Sequence, residues 1–219
     1  MTLQVFDFEQ RTEEWYAARR GILTASVMDQ LITPTLRVAN NDYSRAIVAQ
    51  LVAERITGET DATYTSDDMM RGILDEPLAA EKYAEHHAPV TTTGFMVRRE
   101  DDWTLGYSPD GLVGADGLIE VKCPRAKTHL QTILADAVPD KHMAQLQAGL
   151  LVTGRAWVDF ISYYGGMPMF VKRVEPDPAW HEAITDACER FEATAEEMLA
   201  MYRTATENMP ATERLEIAI

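Results

Sequence analysis

Partway along this chain the spacing of apolar residues changes period, and that change restricts the fold more than any other feature. Across residues 44–57, Ile47, Val48, Leu51, Val52 and Ile56 recur at three- and four-residue steps, with Gly58 placed to end a helix. From residue 93 onward the runs become short and β-prone, at 93–99, 103–107 and 118–123, separated by the charged turn 100–102 and the glycine-bounded segment 111–117. A chain that passes from one regime to the other has to pack helices against a sheet, so the predicted class is α+β. Three neighbouring strands with tight turns predict an antiparallel meander.

The remaining elements follow from caps and stops. Thr12 can cap a short helix through Trp15 and Arg19, and a second helix is expected from Thr24 through Val27, Met28 and Leu31 before Pro34. Residues 66–87 are helical in pattern, but Pro77 should kink the helix or restart it after Glu76. A helix over 140–153 has Asp140 as its expected cap and Gly154 as its stop, and strands at 156–164 and 167–174 turn at Gly165 and Gly166. The last helix opens on Asp177 and Pro178, and Trp180, Ile184, Ala187, Phe191, Ala195, Met198 and Tyr202 form its apolar stripe. No repeat or linker divides the chain. The expectation is one domain over 1–219, with a helical part to about 90, a sheet core over 91–175 and a C-terminal helix over 178–203.

Composition removes several classes. Cys123 and Cys188 stand far apart with no CxxC partner, so a cysteine-based zinc or iron–sulfur site lacks ligands. No apolar run reaches the roughly 18 residues of a membrane-spanning helix, and the opening residues lack the basic lead and apolar stretch of a secretion signal, so cytoplasmic location is expected. The formal charge of −15 argues against a protein that coats nucleic acid electrostatically. Its distribution softens that objection, because residues 175–219 hold 11 acidic and 3 basic side chains. Carboxylates for a divalent cation would account for part of the remainder.

Strand alternation over 118–123 sends Leu118, Glu120 and Lys122 to one face and Ile119, Val121 and Cys123 to the other. Taken alone, Glu120 beside Lys122 reads as a cross-strand ion pair worth about 0.2–1 kcal/mol. Ser108, Pro109, Asp110 and Gly111 change that reading. If the two strands pair as a hairpin, Asp110 and Glu120 converge with Lys122 alongside. Two hard oxygen ligands suit Mg²⁺, which takes one or two carboxylates and keeps several waters. A neighbouring lysine can orient or deprotonate the attacking water, and such a site suits phosphodiester hydrolysis.

The sequence Ser108-Pro-Asp110-Gly with Glu120-Val-Lys122 resembles the PD-(D/E)XK nuclease signature. Together with Trp15-Tyr-Ala-Ala-Arg19 leading to Thr24-Ala-Ser26, Gly72-Ile-Leu-Asp-Glu76, and His142-Met-Ala-Gln145-Leu-Gln147, it resembles the phage lambda exonuclease or YqaJ-type viral recombinase family over roughly residues 12–174. The resemblance implies a restriction-endonuclease-like core, a central mixed sheet of about five strands flanked by helices. It also implies a Mg²⁺-dependent exodeoxyribonuclease, with Mn²⁺ able to substitute, that degrades the 5′-phosphorylated strand of linear double-stranded DNA and leaves 3′ overhangs for recombination by strand annealing. Carried over by position, Asp110, Glu120, the Val121 carbonyl and Glu76 are implied metal ligands, Lys122 the catalytic lysine, and Gln145 a residue that places the scissile phosphate or water. Arg19, Thr24, Ser26 and Ser108 are the implied 5′-phosphate pocket. An arginine fork with hydroxyls and backbone donors is in any case a good phosphate receptor. A homotrimeric ring around DNA and a single-strand annealing partner are implied too. Encirclement would reconcile DNA processing with the acidic total.

The sequence departs from the family pattern in places. His142 stands where a tyrosine is expected, and a ring there is expected to titrate near neutral pH. Thr128 replaces an expected arginine, with Arg125 and Lys127 near enough to contact DNA instead, and Asp67 stands where a lysine is expected. Met69 and Met70 can wedge a DNA end apart, but core packing is the expected role. Two other readings stay open: a different PD-(D/E)XK nuclease, such as an endonuclease or a Cas4-like enzyme whose four-cysteine cluster is missing here, and a catalytically silent DNA-end-binding recombination scaffold.

Overall fold

The computed structural model describes residues 2–61 and 66–213. Among the described residues, seven strands form two sheets. In the first, β1 (Thr2–Phe6), β2 (Phe95–Arg99) and β3 (Thr104–Tyr107) lie in sequence order, all antiparallel. In the second, β4 (Gly111–Val113), β5 (Gly117–Lys122), β6 (Trp157–Ser162) and β7 (Phe170–Val174) lie side by side, and only β5 and β6 are parallel. A parallel pair needs a crossover. Here it is made by two helices, α4 (Ala126–Ala135) and α5 (Asp140–Thr153), counting α1 as Glu13–Arg19, α2 as Asp42–Thr57 and α3 as Asp67–His86. A final helix, α6 (Pro178–Thr206), closes the structure, and a 3₁₀ helix spans Ala25–Gln30. The class is mixed α+β, as expected.

The alternation along β5 is realised on two buried faces. Leu118 joins the larger core with Val158, Phe160 and residues of α5 and α6, while Ile119 and Val121 pack with Ile161 against Ala79 and Tyr83 of α3. α5 is buried on nearly every side, from Ala144 to Val152. Gly149 is required there, because a Cβ at that position would lie 2.7 Å from the Tyr107 ring. Leaving it out lets α5 and β3 approach closely enough to bury that ring.

Local chemistry explains most boundaries. The Thr12 side chain accepts the Trp15 N–H, Ser66 accepts that of Met69, and Asp177 accepts that of Ala179 before Pro178 sets the first turn. Gly154 adopts φ 66 and ends α5.

Several expectations are corrected. The three neighbouring strands are not one meander: β2 and β3 pair, but the chain then leaves that sheet, and β5 takes the additional strand β4 as its hairpin partner. Pro77 does not restart the chain as a second helix, because α3 runs through it as one span. The single backbone bond it forfeits is offset further along, where Ala79 and Tyr83 are buried and the Tyr83 hydroxyl donates to Asp159 at 2.7 Å. Asp140 is the first residue of α5, with Pro139 at its cap, and α4, β1 and β4 were not foreseen. Met69 and Met70 are about half exposed, not packed in the core. Among the described residues no helix is long and apolar enough to cross a membrane.

Candidate active site

The β4–β5 hairpin registers Gly111 opposite Ile119. Asp110, one residue before β4, therefore lies beside the middle of β5, and its Oδ2 accepts the Val121 N–H at 2.6 Å. Glu120 is only 2% exposed. Its burial is possible because both oxygens are engaged: Oε1 accepts from Lys122 Nζ at 2.7 Å and from Gln145 Nε2, and Oε2 accepts from the Tyr107 hydroxyl at 2.8 Å. Three segments of the chain, at Tyr107, at Glu120 and Lys122, and at Gln145, thus meet at one carboxylate. Val121 offers only its backbone here, since its side chain lies in the core against α3.

Glu76 comes from α3, and its Oε2 accepts from Arg11 at 2.7 Å. Its charge is nonetheless felt at Asp110. Burial, then Glu120, then Glu76 push the Asp110 carboxyl well above the usual range. Burial alone would lower Lys122, but Glu120, Asp110 and Glu76 together outweigh it and hold the amine above its ordinary value. Lys122 is therefore an ammonium in this arrangement, suited to orienting and donating.

Among the described residues, no three His, Cys, Asp or Glu side chains form a ready-made metal cage. The donor set still fits a hard cation that keeps most of its waters, which needs only one or two carboxylates. The chemistry of the donor set is the sign of it: the Asp110 carboxylate lies against the Val121 N–H beside the buried Glu120 carboxylate, and among the described residues Lys122 is paired with Glu120 only. Asp110 and Glu120 would hold such an ion, with the Val121 carbonyl and Glu76 nearby in the chain and in the field respectively.

Arg19, Thr24, Ser26 and Ser108 line one small cavity with Tyr107 and Gln145. Arg19 is held over the Trp15 ring at 4.1 Å, and its Nη1 donates to Ser108 Oγ at 3.4 Å. Trp15 Nε1 donates to the same hydroxyl at 2.9 Å. Burial lowers the Arg19 pKa to about 10, against the pull of Tyr16 and Glu54, so the guanidinium remains charged at neutral pH. Thr24 precedes the 3₁₀ helix but makes no side-chain capping bond. Its hydroxyl lies 3.1 Å from that of Ser26, a pair in which one hydroxyl donates to the other and the second keeps its proton for a ligand oxygen.

The outlying candidates separate. His142 stacks on Phe160 at 5.5 Å. Burial and the charges of Lys122 and Lys141 push its pKa down to about 3, so it is neutral across the physiological range and does not titrate near pH 7 as expected. Arg125 is exposed and paired with Asp68 at 2.8 Å, and Lys127 is exposed at the start of α4. Of the basic strand residues, Arg98, Lys172 and Arg173 are engaged with Glu100, Asp136 and Asp159.

Sequence names neither Tyr107 nor Arg11 as a site residue, and it names Trp15 only as the start of the motif that leads to Arg19. A role for Trp15 beside Arg19 was legible, because it stands four residues earlier on a helix, the spacing at which side chains meet. Tyr107 and Arg11 carry no such local signal.

The YqaJ-like viral recombinase domain pattern matches residues 14–156. The chain is similar to the alkaline exonuclease LHK-Exo of Laribacter hongkongensis, at 34% identity and a TM-score of 0.80 over 90% of this chain and 99% of that one. It is similar to LHK-Exo in complex with dAMP at 32% identity and a TM-score of 0.81, covering 91% of this chain and 100% of that one. A phage-related exonuclease from Haemophilus somnus 129PT shares the fold at 11% identity, with a TM-score of 0.64 over 83% of this chain and 96% of that one. No curated protein sequence matches. With the pattern spanning more than half its length and a relative above 30% identity along nearly all of it, this chain belongs to the YqaJ-like viral recombinase family.

Proposed function

We propose that the chain is a DNA exonuclease, and more specifically a Mg²⁺-dependent enzyme that degrades the 5′-phosphorylated strand of linear duplex DNA in the 5′-to-3′ direction. Similarity to alkaline exonucleases supports the coarser statement. The single observation that carries the finer one is the double engagement of Gln145. It donates to Glu120 beside Asp110 and Lys122, and it also lines the cavity of Arg19, Thr24, Ser26 and Ser108. A carboxylate pair for phosphodiester hydrolysis and a receptor for a terminal phosphate therefore share a wall, as an end-dependent nuclease requires.

In this reading Arg19 pairs with the 5′-terminal phosphate, oriented by the Trp15 ring beneath it and by Ser108. Lys122 and Gln145 orient the scissile phosphate and the attacking water, and Tyr107 keeps Glu120 in one rotamer. Asp110 and Glu120 would hold Mg²⁺, with Mn²⁺ as a substitute, and the bound ion would supply charge stabilisation to the attacking and departing oxygens. The Val121 carbonyl would offer it a further oxygen, and Glu76 would act on it from α3. Arg125, Lys127 and a neutral His142 are proposed DNA contacts, and the half-exposed Met69 and Met70 suit parting of the duplex end.

The proposal extends to a single domain over 1–219, a homotrimeric ring around DNA, a single-strand annealing protein as partner and action in the cytoplasm. A closed ring allows the −15 chain to stay on DNA by topology rather than by electrostatic attraction. The deciding experiment is digestion of one linear duplex, labelled separately at each strand end, with and without Mg²⁺. Loss of the 5′-labelled nucleotide first, only with Mg²⁺, is expected. Cutting of a closed circular plasmid would instead identify an endonuclease, and end binding in Mg²⁺ without nucleotide release a silent scaffold.

A further inference from the structure

Between Asp110 and the segment that joins β1 to α1 lies a cleft of about 570 Å³. Asp7, Glu9, Glu76 and Asp110 line it, and among its lining residues Arg11 alone is basic. Arg11 is fixed there by its backbone. Its φ is 71, in the left-handed region that non-glycine residues rarely adopt, the preceding Gln10 donates to the Pro109 carbonyl at 3.1 Å, and the following Thr12 caps α1. The outcome is a guanidinium delivered to Glu76 at 2.7 Å, with the pair 39% and 24% exposed. Glu76 is close enough to Asp110 and Lys122 to act on both electrostatically, yet one of its oxygens is committed to Arg11.

We propose that Arg11 is a positioning residue which holds Glu76 back from the cation seated by Asp110 and Glu120, so that the Arg11–Glu76 pair sets how tightly the cleft binds a divalent metal. It rests on the reading of Asp110 and Glu120 as a cation site. Two effects act in the same direction. The guanidinium neutralises a carboxylate that would otherwise add to the field on the metal, and it occupies an oxygen that would otherwise be free.

The test is a Mn²⁺ titration of the DNA-free protein followed by electron paramagnetic resonance, run on wild type, Arg11→Ala, Arg11→Lys, Glu76→Gln and the Arg11→Ala/Glu76→Gln double variant. Loss of one partly exposed ion pair should tighten Mn²⁺ binding by about two- to fivefold in Arg11→Ala, and the Mg²⁺ concentration for half-maximal digestion should fall in parallel. Arg11→Lys, which keeps the charge, should return most of the way to wild type. In the Glu76→Gln background the Arg11 substitution should change nothing. Unchanged or weaker Mn²⁺ binding in Arg11→Ala overturns the proposal, as does equal tightening with and without Glu76. Wild type that binds no Mn²⁺, or binds it undiminished in Asp110→Asn, overturns the cation site and the proposal together. If the protein binds Mn²⁺ with the expected pattern but digests no DNA, the nuclease reading fails and the assignment of Arg11 stands.

Discussion

The Tyr107 hydroxyl donates to Glu120 Oε2 at 2.8 Å across the junction between the two sheets. It comes from the end of β3, a strand with no ladder to β5, and it fixes the carboxylate from the side opposite Lys122 and Gln145. Burial first, then Glu120 and Asp110, push the phenol well above its ordinary pKa, so it stays a donor over the whole working range. Tyr107→Phe should leave a buried carboxylate oxygen unpaired and cost about 1–3 kcal/mol of stability, read from a urea melt, together with a loss of Mg²⁺-supported digestion. Wild-type stability and rate would remove Tyr107 from the site.

Asp110→Ala and Lys122→Ala should part company. The first removes a carboxylate of the proposed cation site, and Mg²⁺-supported digestion should vanish while circular dichroism stays native. The second should slow hydrolysis about a hundredfold or more while DNA association, followed by fluorescence anisotropy, persists. Retained turnover in Lys122→Ala would reduce the amine to an ion-pair partner of Glu120.

Arg19 makes its own prediction at the DNA end. Loss of a charge-assisted contact to a terminal phosphate is worth about 1.5–3 kcal/mol, so Arg19→Ala should narrow the rate difference between 5′-phosphate and 5′-hydroxyl ends by roughly tenfold or more. The check is paired digestion of the two duplexes. An unchanged preference would locate the phosphate receptor elsewhere.

Asp110 also links the site to stability. Its folded pKa lies well above the ordinary value because of burial and of its neighbours Glu120 and Glu76. The folded protein then keeps a proton that the unfolded chain releases near pH 4. This group's contribution is complete below that pH and is lost as pH rises toward the raised value. Without divalent metal, Asp110→Asn, whose amide oxygen can still accept the Val121 N–H, should melt above wild type at pH 8, with little difference at pH 4. Each kcal/mol recovered is worth roughly 2–4 °C in a chain of this size. Saturating Mg²⁺ should close much of the gap by stabilising wild type alone.

The sequence by itself determined those features whose physics is local. Alternation along residues 118–123 assigned Glu120 and Lys122 to one face and Ile119 and Val121 to the other. The caps at Thr12 and Asp177 and the stop at Gly154 needed only their own hydrogen bonds and dihedral angles. Asp110, Glu120 and Lys122 could be gathered from a short hairpin because only a few residues separate their strands. The family motifs drew attention to Arg19, Thr24, Ser26, Ser108 and Gln145.

Tertiary structure alone decided what depends on elements far apart in the chain. On its other edge β5 pairs in parallel with β6, which α4 and α5 separate from it in the chain. Pro77 stays inside an unbroken α3 because packing at Ala79 and Tyr83 outweighs one missing backbone bond. His142 lost its expected titration to burial and to Lys122, neither of which is visible from its neighbours in sequence. The pairings of Arg11 with Glu76 and Tyr107 with Glu120 belong to the same class. Periodicity reports which way a side chain points from its own element, whereas a contact across the core is settled only when the whole chain has minimised its buried, unpaired charge.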